Sequence, residues 1–305
     1  MIVTRIDSIL KFYESEGADV KKRLADILNH GALGGSGKLI ISAVDQGFEH
    51  GPSRSFAQND GAYDPFYHFN LAIEGGLSAF AAPLGMLESG AETFKGKIPT
   101  ILKINSCNAL YGKEPDQAIT ASVEDAVRLG CHGIGFTLYP GSDHNLKLIN
   151  EFREVAHQAK KAGLVVVAWS YPRGSSISKD GETSLDVISY GAHMACLLGA
   201  HIVKVKVPTD HLFLKADTQA IKNHKIPHTS LKDRIRYVVK CCFEGRRIVI
   251  FSGGTAKNTD DLMEETKDIR DGQGFGSIVG RNFFQRERQE ALYVIQKMVA
   301  LYKED

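Results

Sequence analysis

Eight short, almost wholly apolar segments recur along this chain of 305 residues, and most of them are followed by a helical pattern. Segments of this kind are typical of strands that are buried on both faces, as in a parallel sheet covered by helices. Eight alternating strands and helices predict an α/β fold, the (β/α)8 or TIM barrel, and the rival interpretation is a doubly wound open sheet. The predicted strands are residues 39–44, 78–84, 100–104, 133–138, 164–169, 202–207, 248–251 and 277–279.

Two segments do not fit this alternation. Residues 1–37 have apolar residues at helical spacing, which predicts an N-terminal extension of one or two amphipathic helices. Residues 209–230 show little periodicity and are interpreted as an insertion after the sixth strand, in a barrel that spans 38–305. Because no low-complexity linker divides the chain, we expect a single domain. In the fifth unit, the spacing Thr183-x-x-Asp186 predicts a capping box at a helix start.

Charge and cysteine usage exclude several classes of protein. The 37 Lys and Arg residues and 36 Asp and Glu residues leave a net charge of +1, without the basic excess that nucleic-acid or membrane-surface binding requires. No apolar run approaches the roughly 18 residues of a membrane span, and residues 1–10 lack the pattern of a signal peptide. The five cysteines are scattered without a CxxC spacing, so neither a disulfide framework nor a structural zinc site is indicated. We expect a reduced, cytoplasmic protein.

Glycines follow the last two predicted strands. In a TIM barrel, phosphate is usually bound by the loops after strands seven and eight. The seventh strand is followed by Ser252, Gly253 and Gly254, and the eighth by Gly280 and Arg281. Glycine lets backbone N–H groups approach phosphate oxygens, and an arginine can donate two hydrogen bonds to one phosphate. These loops therefore predict a phosphate site, although each could be a glycine turn without a ligand.

The sixth strand carries two lysines, Lys204 and Lys206, at alternate positions. Since a strand alternates faces, both side chains point into the barrel while the intervening valines face the surrounding helices. Burial and a second cation both lower the pKa of a lysine, which is how a Schiff-base lysine becomes nucleophilic. The alternative is that each lysine pairs with an interior carboxylate such as Asp45 or Glu49.

Other strand ends carry polar and aromatic residues. Trp169 and Tyr171 share a face at the end of the fifth strand, where a tyrosine could exchange a proton with a substrate or simply pack. The first strand ends in a segment that contains Asp45, Gln46 and His50, whose donors and acceptors suit sugar hydroxyls, although this segment could be a capped turn. On the third strand, Lys103 and Asn105 also share a face.

These motifs together resemble one enzyme family. The sequence DQGFEHGP begins at Asp45, WSYPRG at Trp169 and IVK at Ile202, and SGG and GRN begin at Ser252 and Gly280. In this order they are similar to the archaeal-type class I fructose-bisphosphate aldolases, the metal-free DhnA-like barrels. The resemblance extends from about residue 38 to residue 302.

The resemblance implies reversible cleavage of fructose 1,6-bisphosphate to dihydroxyacetone phosphate and glyceraldehyde 3-phosphate, without a metal or other cofactor. Lys204 matches the Schiff-base lysine of the family and Tyr171 its proton-transfer residue. Among the substrate-binding positions of the family, Asp45 matches the residue at the sugar hydroxyls and Trp169 the ring that lines the substrate. Arg173 matches a substrate-binding arginine, which we suggest reaches the far phosphate, and Lys206 lies within the stretch that contacts substrate. The residues that match the cradle of the ketone-side phosphate are Ser252, Gly253, Gly254, Gly280 and Arg281.

Three alternatives stay open. One is a sister Schiff-base enzyme acting on another phosphosugar, such as an aminodeoxyheptulosonate-type synthase or an autoinducer-phosphate thiolase. A second is a non-catalytic phosphosugar-binding barrel, and a metal-dependent aldolase is disfavoured. The insertion at 209–230 could form a lid, supply Asp210 or His211 to the site, or build a subunit interface. We expect a homo-oligomer on the family analogy.

Overall fold

The computed structural model of the chain describes residues 4–112, 114–252 and 257–304. Its centre is a closed barrel of eight parallel strands, β1 to β8, in which each strand pairs with its neighbours in the chain and β8 pairs with β1. The strands are Leu39–Ala43 (β1), Ala79–Pro83 (β2), Thr100–Lys103 (β3), Gly133–Leu138 (β4), Val165–Ser170 (β5), Ile202–Lys206 (β6), Ile248–Ser252 (β7) and Gly276–Val279 (β8).

Each of the eight predicted segments is a strand, with bounds within one residue of those expected. The pairing of Leu39 with Gly276 and of Ser42 with Val279 closes the sheet on itself. The TIM-barrel prediction is therefore confirmed, and the open doubly wound sheet is wrong. A two-residue antiparallel ribbon, Asn105–Ser106 with Ala118–Ile119, follows β3 outside the barrel.

Helices surround the barrel because their apolar residues recur every three or four positions. In the helix that follows β4, for example, Leu148, Phe152, Ala156 and Ala159 are buried on one side. The α-helices are Arg5–Leu10, Ala18–Asn29, Gln46–His50, Pro52–Phe56, Pro65–Glu74, Leu84–Gly90, Val123–Arg128, Asn145–Lys161, Leu185–Leu197, Lys215–Asn223, Leu231–Cys241, Thr259–Asp271, Arg281–Phe284 and Arg288–Lys303, with 3-10 turns at Asp60–Tyr63 and Gly181–Thr183.

Two apolar cores lie on the two faces of the sheet. On β6, Val203 and Val205 pack in the outer core beneath the helices. Ile202 packs in the inner core, which fills the barrel interior. Lys204, two positions after Ile202, shares its inward face. The alternation predicted for this strand is therefore confirmed, and it brings an amine to the inside of the barrel.

The N-terminal helices pack against the amino ends of the strands. The Tyr13 hydroxyl donates to the His201 carbonyl (2.7 Å) at the start of β6 and accepts from the Ile248 amide (3.2 Å) at the start of β7. Arg23 donates to the Gly163 carbonyl (2.8 Å) before β5. Apolar side chains of these helices join the inner core. The predicted extension is thus helical, and it covers the end of the barrel opposite the carboxyl ends of the strands.

The segment that sequence analysis interpreted as an insertion contains the helix Lys215–Asn223. It docks on the helix that follows β5, because the Asp186 carboxylate accepts from the amides of Phe213 (2.9 Å) and Leu214 (2.5 Å). The predicted capping box at Thr183 is therefore wrong. Ser184 is the N-cap residue, without a side-chain capping bond, and Asp186 is engaged by the inserted segment instead.

Candidate active site

One cavity opens at the carboxyl ends of the strands, where barrel enzymes hold their catalytic groups. Ten of the predicted site residues line it. Trp169 lies beneath it, next to the Lys204 amine, and Gly253 and Gly254 lie outside the described residues. The predicted residues that line the cavity are Asp45, Gln46, His50, Tyr171, Arg173, Lys204, Lys206, Ser252, Gly280 and Arg281.

The Lys204 side chain stands at the floor of this cavity and is only 5% exposed. Its amine lies 5.2 Å from the ring centroid of Trp169 and 5.2 Å from that of Tyr171. No carboxylate of the described residues lies within ion-pair distance of this amine, whereas Lys206 pairs with Glu182 at 3.0 Å. The alternative that an interior carboxylate pairs with each lysine is therefore wrong for Lys204. Lys206 does pair with a carboxylate, but with that of Glu182 and not with one of the two named as examples, Asp45 and Glu49.

Trp169 owes its position to a glycine on the neighbouring strand. A Cβ atom at Gly135 would lie 1.8 Å from the Cζ3 atom of the indole. Only glycine therefore leaves room for the ring at this height in the barrel. The indole fills the space beneath the Lys204 amine, and its Nε1 atom is buried without a hydrogen-bond partner among the described residues.

A second buried amine, that of Lys103, reaches the same indole. Lys103 is 2% exposed, and its amine lies 5.8 Å from the ring centroid of Trp169. It donates to the backbone carbonyl and, at 3.0 Å, to the Oδ1 atom of Asn105. Asn105 is held in turn by the Thr137 amide (2.7 Å). Burial lowers the pKa of Lys103 to about 8. Its shared face with Asn105 was visible in the sequence, but its place beside the indole that the Lys204 amine also contacts was not.

Two acidic side chains from the β1 loop face these amines. Asp45 is buried and is the N-cap residue of the short helix Gln46–His50, which carries Glu49. Burial, and then the charge of Asp45, raise the pKa of Glu49, while the cations Lys103, Arg173 and Lys204 oppose the shift. Glu49 lines the cavity, although sequence analysis considered it only as an ion-pair partner. The signal was its position in the same motif as Asp45.

At the rim, Tyr171 and Arg173 approach the loops of β6 and β7. The Tyr171 hydroxyl lies 3.2 Å from the Ser252 hydroxyl. The Arg173 guanidinium lies over two aromatic rings, 5.6 Å from the centroid of Tyr139 and 5.9 Å from that of Tyr171. Together with the Lys206 amine, it places positive charge on one side of the cavity mouth. Such a cluster suits an anionic group on a substrate.

The β8 loop lies on another side of the cavity. A Cβ atom at Gly280 would lie 2.7 Å from the backbone carbonyl oxygen of Ala43 and 2.8 Å from the side-chain Nε2 atom of Gln46. The β8 loop therefore contacts the end of β1 and its loop here without space for a side chain. Arg281 follows at the start of a short helix. Of the predicted cradle, Ser252, Gly280 and Arg281 thus meet around one cavity.

Supplying a side chain to the site was one of three roles considered for the inserted segment, and its two candidate residues lie elsewhere. Asp210 and His211 are absent from the described residues that line the cavity. The His211 carbonyl accepts instead from the Leu185 amide (3.0 Å), on the side of the neighbouring helix. Among the described residues, no cluster of three or more His, Cys, Asp or Glu side chains could hold a metal ion. None of the described helices combines the length and apolar composition needed to traverse a bilayer.

A closed (β/α)8 barrel with a buried amine at the carboxyl end of β6 defines the class of Schiff-base barrel aldolases. The model of the DeoC/LacD family of aldolases matches residues 39–286. The chain belongs to this family, and the resemblance of its motifs to archaeal-type class I aldolases is confirmed by the relatives described next.

The relatives carry the name fructose-bisphosphate aldolase class 1. The protein of that name from Thermoproteus tenax is 34% identical over 82% of this chain and 84% of its own length. A probable enzyme of the same name from Chlamydia muridarum is 34% identical over 93% of this chain and 84% of its own length. A solved archaeal fructose-1,6-bisphosphate aldolase, with its catalytic lysine bound to a carbinolamine intermediate, is 29% identical, with a TM-score of 0.75 over 96% of this chain and 98% of that one.

Proposed function

We propose that this chain is a class I fructose-bisphosphate aldolase that cleaves fructose 1,6-bisphosphate reversibly through a Schiff base on Lys204. The observation that carries the proposal is the position of the Lys204 amine. It is buried at the cavity floor, 5.2 Å from the ring centroids of Trp169 and Tyr171, and it belongs to no ion pair of the described residues. An amine without a carboxylate partner is suited to attack a ketone.

The reaction follows from these two side chains. Lys204 adds to the C2 carbonyl, and loss of the C2 oxygen as water gives an iminium ion. The iminium accepts the electron pair of the C3–C4 bond as it breaks, while Tyr171 takes the proton of the C4 hydroxyl, and glyceraldehyde 3-phosphate leaves. Tyr171 returns the proton to C3 of the enamine, and water then releases dihydroxyacetone phosphate. The iminium is the electron sink, so the chemistry needs no metal or other cofactor.

The remaining predicted residues are proposed to bind the sugar phosphate. Positive charge at Arg173 and Lys206 supports a site for the far phosphate, because both line the same side of the cavity mouth. The ketone-side phosphate is assigned to the loops of β7 and β8. In full, the proposed groups are Asp45, Gln46 and His50 for hydroxyls, Trp169 against the substrate, Arg173 and Lys206 for the far phosphate, and Ser252, Gly253, Gly254, Gly280 and Arg281 for the near one.

Borohydride trapping tests the proposal directly. Reduction in the presence of dihydroxyacetone phosphate should attach a three-carbon adduct to the peptide that contains Lys204, as mapped by mass spectrometry. The variant Lys204→Met should lose both cleavage and trapping, whereas Lys206→Met should still be trapped. Trapping that persists in Lys204→Met and disappears in Lys206→Met would assign the nucleophile to Lys206. No adduct on the wild-type chain would indicate a non-catalytic phosphosugar-binding barrel.

A sister activity is the second candidate. A relative from Methanocaldococcus jannaschii, 29% identical over 87% of this chain, is named both fructose-bisphosphate aldolase and 6-deoxy-5-ketofructose 1-phosphate synthase. The Arg173 guanidinium and the Lys206 amine, both at the cavity mouth, favour a substrate with a second phosphate. A coupled cleavage assay compares fructose 1,6-bisphosphate with fructose 1-phosphate. Faster cleavage of the bisphosphate would support the bisphosphate aldolase, and equal or faster cleavage of the monophosphate would support the sister activity.

We also propose that the chain is a single domain that assembles into a homo-oligomer and acts in the cytoplasm. Exposed apolar side chains on the outer helices, such as Leu146, Tyr190 and Leu197, support assembly. The balanced charge and five unpaired cysteines support a reducing compartment. Light scattering on the purified protein tests the assembly, and a monomer at micromolar concentration would contradict it.

A further inference from the structure

A carboxylate behind the cavity mouth holds one of the cations at that mouth. The Glu182 carboxylate contacts the Lys206 amine at 3.0 Å, and the two side chains are only 12% and 18% exposed. Lys206 lines the cavity, whereas Glu182 is not among the described residues that do so. Glu182 is therefore placed to act on a bound ligand through the lysine.

The turn that carries this carboxylate is fixed by the inserted segment. Glu182 lies in the 3-10 turn Gly181–Thr183. The Thr183 carbonyl accepts from the Thr209 amide (2.8 Å) and from the Thr209 hydroxyl (3.1 Å). A parallel β-bridge joins Ser184 to Thr209 directly after the turn. The position of the carboxylate thus depends on the segment that follows β6 in the chain.

The charges around the Lys206 amine explain why a carboxylate is needed there. Burial lowers the pKa of this amine, the charges of Arg173 and Lys179 lower it further, and the Glu182 carboxylate opposes them. Among the described residues, Glu182 alone supplies a carboxylate within ion-pair distance of Lys206. The remaining titratable groups among the described residues that line the cavity are Asp45, Glu49, His50, Tyr171, Lys204, Glu265 and Arg281. Without Glu182, the Lys206 amine would face Arg173 without a counter-charge in contact, and it would lose its proton at a lower pH.

The carboxylate does not cancel the positive charge of the cavity mouth. The Lys179 amine contacts Glu182 as well, at 3.1 Å from Oε2 and 3.2 Å from Oε1, and its side chain is 86% exposed. Since two lysines share one carboxylate, the three side chains keep one net positive charge, and Arg173 adds another. A phosphate group at the mouth would therefore still meet a cationic surface, in which one amine is already held in place.

We propose that Glu182 is a positioning residue that holds the Lys206 amine in place as a cation for the far phosphate and thereby sets the preference for a bisphosphate over a monophosphate. This inference deepens the proposed function and rests on it. Lysine is a point charge on a flexible stem. Fixing such a side chain before the ligand arrives reduces the entropy that binding costs. The carboxylate thus favours the far phosphate through both the charge and the order of the lysine.

The test compares Glu182→Gln, which keeps the size of the side chain and removes its charge, with Lys179→Met, which removes the exposed partner of the same carboxylate. The kcat and KM values for fructose 1,6-bisphosphate and fructose 1-phosphate are measured at pH 7 and through an alkaline series. In Glu182→Gln we expect KM for the bisphosphate to rise by about threefold to tenfold at pH 7, and its alkaline increase to begin at a lower pH than in the wild type. The kcat values, KM for the monophosphate and borohydride trapping with dihydroxyacetone phosphate should stay unchanged.

The control variant should behave differently. Lys179→Met should keep KM for the bisphosphate within about twofold of the wild type, because exposed ion pairs contribute little. Its alkaline increase in KM should begin at the same pH or a higher one, because the removed charge lowers the pKa of Lys206. Glu182→Asp, which keeps the charge on a shorter side chain, should recover part of the loss. In the double variant Glu182→Gln with Lys206→Met, KM should equal that of Lys206→Met alone.

Four results would overturn the proposal. Equal losses for the two sugars would assign Glu182 a merely structural role, and additive losses in the double variant would give it a role apart from Lys206. A bisphosphate KM in Glu182→Gln equal to that of the wild type would show that the pair does not matter for binding. A lower KM would show that the carboxylate competes with the phosphate for the lysine. A wild-type chain that neither cleaves the bisphosphate nor is trapped would instead refute the proposed function, so the two failures are distinguishable.

Discussion

The space beside Gly135 determines where the Trp169 indole stands, and an alanine there tests this part of the site. The added methyl carbon would lie 1.8 Å from Cζ3 and 2.1 Å from Cη2 of the ring. Carbon atoms in contact are about 3.5 to 4.0 Å apart. In Gly135→Ala the ring or the strand must therefore move by about 1.7 Å or more. That movement takes the ring away from its position beneath the Lys204 amine.

The expected cost has two parts. Overpacking of this kind lowers the free energy of unfolding by about 1 to 3 kcal/mol, and each kcal/mol lowers Tm by roughly 2 to 4 °C in a chain of this size class. A displacement of about 1 Å near the reacting groups lowers activity by about 100-fold. We thus expect a folded variant whose kcat/KM for fructose 1,6-bisphosphate falls by about 100-fold while its Tm falls by about 2 to 12 °C.

Thermal unfolding and the coupled cleavage assay measure both parts. Gly85→Ala is the matched control, because no atom of the described residues beyond its own helix turn lies within 4 Å of the added Cβ, and Gly85 is not among the described residues that line the cavity. It should retain wild-type kcat/KM, and its Tm should be equal to or slightly above that of the wild type, because alanine favours a helix more than glycine does. Adding Trp169→Phe to Gly135→Ala makes room for the methyl group and should recover part of the lost stability. Wild-type activity and Tm in Gly135→Ala would refute the reasoning, because the ring would then tolerate the methyl without moving.

Two further predictions concern charge. The pKa of Glu16 is lowered to about 2, because the His201 imidazole and the Lys160 amine contact its carboxylate. A carboxyl group whose pKa is lower in the folded chain than in the unfolded chain stabilises the fold at pH values above the unfolded pKa, so Glu16→Gln should lower the free energy of unfolding at pH 7. Urea unfolding should show that the difference in stability between the wild type and Glu16→Gln becomes smaller as the pH falls below about 4.5. The same difference in stability at pH 3 as at pH 7 would contradict this prediction. Burial, and then the charge of Arg173, lower the pKa of Lys206, so this amine loses its charge as the pH rises and KM for fructose 1,6-bisphosphate should increase at alkaline pH. Lys206→Met should raise this KM at pH 7 by about tenfold or more and should remove its increase at alkaline pH. The same variant should leave KM for fructose 1-phosphate unchanged. An equal effect on the monophosphate would assign Lys206 elsewhere.

The barrel could be predicted from the sequence because its strands are buried on both faces, so each appears as an apolar run with a clear beginning and end. Alternation along β6 then predicted that Lys204 points inward, as it does. Local patterns were less informative where a distant segment competes for a polar group. At Asp186, amides from the inserted segment use the carboxylate, and no local spacing reveals that competition.

The site was predicted only in part for a related reason. The order of the strands in the barrel was enough to predict that residues at the strand ends lie around one cavity. The roles of these residues in binding and catalysis stay proposals. The partners of these residues are set by packing. Glu182 reaches Lys206 from a 3-10 turn after β5, and Arg286 reaches Lys257 across 29 positions of the chain. Neither contact has a sequence pattern, because both depend on how the loops pack.

Contacts at the closed end of the barrel also bear on the chemistry at the other end. Tyr13 binds the first residues of β6 and β7, the strands that carry Lys204 and Ser252 near their far ends. Since strands are stiff, these contacts at the amino ends of β6 and β7 also fix how far the two strands are shifted along each other at their carboxyl ends. Loops at the mouth could then be exchanged to change the range of sugars accepted, while the Lys204 amine keeps its place.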